Sequence, residues 1–83
     1  DQVTVIRDGK TQPVKAASVT VGETVQIRPG EKVGLDGTML SEVGSFDTAA
    51  LTGESVPRSI RRGEAVLAGM INRQSLVEMT VST

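Results

Sequence analysis

Apolar side chains return at every second position in five places along this chain. Val3 and Val5 do so, then Val19 and Val21, Val25 and Ile27, Val33 and Leu35, and at the far end Val77, Met79 and Val81. A period of two turns one side of an extended segment toward a core and the other toward water. No window carries an apolar stripe at helical spacing. Only Asp47–Leu51, "DTAAL", has the residues for a helical turn, with Asp47 as its cap. Asp8-Gly9, Pro29-Gly30, Asp36-Gly37 and Arg62-Gly63 punctuate the runs as turns. The pattern predicts an all-β sandwich, jelly roll or distorted barrel with at least six strands and no helix longer than about three turns. Eighty-three residues make one domain, and with Phe46 as the sole aromatic the core must come from Val, Leu, Ile, Met and Ala.

Two turns are specific enough to set register. Asp8-Gly9 between extended runs reads as a type I′ hairpin, whose central residues both need positive φ. That turn places Val3 opposite Val14 and Arg7 opposite Lys10, and Pro13 confines the second strand to a sheet edge. Pro29-Gly30 fits the centre of a type II turn, with proline fixing one φ and glycine supplying the positive one.

Composition removes several kinds of function. A net charge of −1 gives no general attraction to nucleic acid or anionic membranes. With no cysteine there is no disulfide framework, and with no histidine either, a soft metal site lacks its ligands. Met39, Met70 and Met79 are scattered and read as core filler. "DGKT" at 8–11 lacks the glycine of a phosphate loop, since Thr4 stands at that position, and reads as a hairpin turn. Lys10, Lys15 and Lys32 lack the methionine-flanked hairpin of a carrier lysine. Arg58, Arg61 and Arg62 read as a solvated loop or edge-strand face, with a docking surface for a partner domain as the alternative. There is no signal-peptide pattern. The longest apolar run, "AVLAGMI" at 65–71, contains a glycine and falls well short of the roughly 20 residues a membrane helix needs. The chain is expected to be soluble, a module trimmed from something larger.

The segment "ALTGESVP" at 50–57 sets one carboxylate, Glu54, between Gly53 and Ser55, with Thr52 before and Pro57 after. On residue chemistry alone this is an exposed turn acid whose neighbours serve local hydrogen bonds. "FDTAALTGESVP" at 46–57, however, resembles the Thr-Gly-Glu-Ser signature loop of the P-type ATPase actuator domain. "GETVQIRPGEKVGLDG" at 22–37 is similar to the segment that precedes this loop in the family, and "GEAVLAGMIN" at 63–72 to the one that follows it. The three blocks stand in the family's order and cover most of residues 19–81. The compact size and the Asp47-to-Glu54 block look most like the heavy-metal (type IB) branch. The alternatives are another branch, such as the potassium pump, or a stand-alone β binding module. Gly34 stands where the family usually has proline, Thr48 where glutamate is common after Asp47, and Arg58 where an apolar residue is usual.

The resemblance implies one actuator domain over residues 1–83, a distorted jelly roll or double-stranded β-helix-like sandwich, excised from a cation-transporting pump. In the family this loop meets an aspartyl phosphate on another domain. Glu54 would orient and deprotonate the attacking water, Gly53 would let the backbone come close to the phosphoryl group, and Thr52 and Ser55 would hold the water and the loop. The implied partners are the phosphorylation and nucleotide-binding domains and the membrane helices of the same chain. ATP and Mg2+ are implied for the full-length pump, and no cofactor or metal for this domain. The implied location is the cytoplasmic side of a bacterial cell membrane. The isolated domain is expected to be monomeric and inactive, with residues 52–55 exposed.

Overall fold

The computed structural model describes residues 2–83. Its strands are β1 (Gln2–Arg7), β2 (Lys10–Lys15), β3 (Thr24–Ile27), β4 (Gly37–Met39), β5 (Val43–Asp47), β6 (Arg58–Arg61), β7 (Ala65–Val66), β8 (Ile71–Asn72) and β9 (Val77–Val81). A single turn of helix, α1 (Ala49–Thr52), follows β5. The strands form two open antiparallel sheets, a six-stranded one in the order β2-β1-β3-β9-β4-β7 and a three-stranded one in the order β6-β5-β8. The all-β expectation holds.

The first hairpin has the expected register, with Val3 opposite Val14 and Arg7 opposite Lys10. Asp8 and Gly9 have φ of 52° and 73°, as a type I′ turn requires, and β2, with Pro13, lies at the sheet edge. At the second turn the Glu31 amide donates to the Arg28 carbonyl across Pro29-Gly30. Both sheets bury their alternating residues in one shared core. Val5, Val25, Met39, Val77, Met79 and Val81 come from the large sheet and Phe46 and Ile60 from the small one, with Met70 and Val33 filling between.

Two of the five alternating runs are not strands. After a 3-10 turn at Ala16–Ser18, the segment holding Val19 and Val21 bends instead of extending, and Val21 is 68% exposed. Glu23 is the physical reason. Its carboxylate accepts the Thr20 amide and hydroxyl, and the Glu23 amide donates to the Thr20 carbonyl. These local bonds outcompete a ladder. Val33 is buried and bonded to Gly69 and Met70, yet its segment makes only a bridge, Lys32 to Ile71. Gly69, with φ of 99°, turns the partner chain away before pairing extends.

Candidate functional site

The loop at 52–55 is carried on a short rigid post that starts in β5. Phe46 is fully buried and Asp47 ends the strand. The Asp47 Oδ1 accepts the Ala49 amide at 2.9 Å, a local bond from the residue before the helix, while the cap position falls to Thr48, which makes no side-chain cap bond, and not to Asp47 as expected. Thr48 is 2% exposed and anchors the turn, its carbonyl accepting the amides of Leu51 and Thr52. Gly53 closes the turn in the left-handed region (φ 76°), donating its amide to the Ala49 carbonyl at 2.8 Å. That reversal throws the chain outward at Glu54.

The Thr52 hydroxyl sits between the post and the loop. It donates to the Thr48 carbonyl at 3.1 Å and accepts the Glu54 amide at 3.2 Å, with the Thr48 hydroxyl 3.5 Å away. Its observed bonds hold the backbone of Glu54 in place. Thr52, Gly53, Glu54 and Ser55 are all exposed, as the sequence predicted. Among the described residues, neither the Glu54 carboxylate nor the Ser55 hydroxyl has a hydrogen-bond partner. A carboxylate so placed is available to accept a proton or a hydrogen bond from something brought to it.

Thr48, Thr52, Glu54, Val56 and Arg58 line a cleft of about 290 Å³. Arg58, Arg61 and Arg62 are all exposed and β6 is an edge strand of the small sheet, as expected of a solvated edge-strand face. Within that strand the pleat sets Arg58 and Arg61 on opposite sides. Arg58 lies opposite Phe46 and two residues before buried Ile60, on the inner side of the small sheet. Arg61 lies opposite Val43 on the outer side, and Arg62 donates its Nε to the Leu40 carbonyl at 2.8 Å. The signal was present in the period of two, once residues 58–61 are taken as a strand. Among the described residues no three metal-ligating side chains come together.

A model of the P-type ATPase actuator domain matches residues 1–83. The chain belongs to that family. This actuator domain is 42% identical over 82 residues to a zinc-transporting ATPase of Synechocystis sp., covering 99% of the chain and 11% of that protein. It is 36% identical over 83 residues to a probable cobalt/nickel-exporting P-type ATPase of Mycobacterium bovis, covering 99% of the chain and 13% of that protein. Its fold is similar to that of a zinc-transporting PIB-type ATPase crystallised in the E2.Pi state, with a TM-score of 0.95 and 34% identity over 99% of this chain and 14% of that one. The actuator domain thus spans about an eighth of the length of these relatives. Among its relatives are pumps named for zinc and for cobalt and nickel, which places it with the actuator domains of the heavy-metal branch.

Proposed function

We propose that this domain serves a heavy-metal-transporting P-type ATPase by hydrolysing the aspartyl phosphate that forms on the pump's phosphorylation domain. The observation that carries the reading is the exposed, unpartnered Glu54 carboxylate, held by a backbone that Thr52 and Gly53 fix. When the loop meets the phosphorylated aspartate, Glu54 accepts a proton from a water molecule. The water oxygen bonds to phosphorus, the bond from phosphorus to the acyl oxygen breaks, and the aspartate leaves as a carboxylate. Inorganic phosphate is the product. A carboxylate leaving group needs no strong acid, which fits a chain without histidine. Gly53 leaves no side chain between the backbone and the phosphoryl group.

In this reading the partners are the phosphorylation and nucleotide-binding domains and the membrane helices of the same pump, on the cytoplasmic side of the membrane. ATP and Mg2+ act on those other domains. Rotation of the actuator transmits hydrolysis to the helices through the chain ends.

Decay of labelled phosphoenzyme in the intact pump is the test. Glu54→Ala leaves phosphorylation by ATP intact and slows loss of the acyl phosphate by roughly 10²–10⁴-fold, the range for a positioned general base. Glu54→Gln is nearly as slow, because an amide keeps the shape and takes no proton. Normal decay in both variants refutes the assignment.

A further inference from the structure

The proposed chemistry brings a carboxylate toward a phosphoryl group, and both are negatively charged. Two like charges a few ångströms apart oppose each other, and more strongly as water is displaced from between them. A cation at the same place offsets that repulsion. The actuator has nine lysines and arginines, but among the described residues only Arg58 lines the cleft with Glu54. Its guanidinium has no hydrogen-bond or ion-pair partner among those residues, so its five donors are unspent. Arg62 is tied to the Leu40 carbonyl, Arg73 reaches the Ser45 hydroxyl at 3.3 Å, and Arg7 is held by Glu23.

The cleft is open to solvent, so a phosphoryl group carried on another domain can reach it from outside. We propose that Arg58 is a further catalytic residue: as the loop docks, its guanidinium takes phosphoryl oxygens of the aspartyl phosphate across the cleft from Glu54. This rests on the proposed function only in that the loop meets the aspartyl phosphate. Arg58 makes and breaks no covalent bond. Its planar fork matches two phosphoryl oxygens, and it stabilises the charge that spreads over them as the bond to the acyl oxygen lengthens.

The test uses the intact pump, with two readouts: decay of labelled phosphoenzyme, and inhibition by orthovanadate, which mimics the five-coordinate phosphoryl group. In Arg58→Ala, phosphorylation by ATP persists and decay slows on the order of 10²-fold, the effect of removing one preorganised donor from developing negative charge. The orthovanadate concentration for half-inhibition rises about 10-fold or more, as for a lost charge-assisted bidentate contact. Arg58→Lys recovers part of both, because it keeps the charge and loses the fork. Unchanged decay in Arg58→Ala overturns the proposal. So does slowed decay with unchanged orthovanadate inhibition, which means that Arg58 meets protein and not phosphate. Glu54→Gln separates the two assignments. Normal decay there, with slow decay in Arg58→Ala, refutes the base and leaves the phosphoryl contact standing.

Discussion

Gly53 and Gly37 are both required by the fold, for different physical reasons. Gly53 has φ of 76°, yet a β-carbon added there would meet nothing within 4 Å. Its constraint is conformational, so Gly53→Ala costs about 1–2 kcal/mol, the penalty for an L side chain in the left-handed region. Gly37 has ordinary φ, but a β-carbon would lie 2.5 Å from the Thr80 carbonyl oxygen and 2.7 Å from the Met79 sulfur. The obstacle there is backbone of the neighbouring strand β9, which cannot move without breaking the β4–β9 pairing. Gly37→Ala therefore costs about 3 kcal/mol, at the upper end of ordinary overpacking. Urea unfolding of the two variants checks the order. Equal losses mean that strand β9 yields more easily than a paired backbone should. The same contrast bears on the site. Gly53 sits in open space at the loop, where a β-carbon changes what can approach from outside, and Gly37 concerns only the core.

At the scale of elements, what the sequence reveals depends on whether the forces are local. The β1–β2 hairpin and the turn at Pro29-Gly30 were legible to the residue, because φ requirements of two adjacent residues decide them. The post under the loop was legible in outline: the helical turn lies within residues 47–51 and one beyond, but its cap is Thr48 and not Asp47, whose carboxylate takes the Ala49 amide from one residue further back. Val19–Val21 misled because a carboxylate two positions on, Glu23, captured the backbone of Thr20. The arginines were legible as a solvated edge-strand face, and only the strand's bounds show that its pleat parts Arg58 from Arg61. Asn72 gave no signal at all. In the chain it is a polar residue after an apolar run, and in the structure it is fully buried and joins the sheets. Its Nδ2 donates to the Ile27 carbonyl of β3 at 2.8 Å and to the Ser75 carbonyl at 2.7 Å, while its own strand β8 pairs with β5. Asn72→Ala leaves a buried carbonyl without a donor and costs about 2–3 kcal/mol. Asn72→Asp costs more, since a carboxylate has no proton to give and faces two carbonyl oxygens. Denaturant midpoints below wild type in that order check the role. A loss under about 0.5 kcal/mol in Asn72→Ala contradicts it.

The molecule as a whole has one core shared by both sheets, so a contact at its rim is read out in global unfolding. The Arg7–Glu23 pair is such a contact. Arg7 donates Nε to Glu23 Oε2 at 2.8 Å and Nη2 to Oε1 at 3.0 Å, a bidentate bond that fastens the end of β1 to the turn before β3. The Arg7 hydrogen bond, with the Thr20 amide next in effect, holds the Glu23 carboxyl at about 2, below its ordinary 4.5. The folded state therefore prefers the ionised form. The stability this contributes is complete above about 4.5, where the carboxyl is ionised even in the unfolded chain, and is lost as pH falls toward 2. Both side chains keep some exposure, 35% for Arg7 and 21% for Glu23, so solvent screens part of the effect. The difference between wild type and Glu23→Gln isolates the pair, because every other carboxyl is common to both proteins. Wild type unfolds at higher urea than the variant at pH 7, and the gap closes between pH 4.5 and 2. Two curves that fall in parallel through that window mean that Glu23 titrates alike in the folded and unfolded chains, and the clamp contributes nothing.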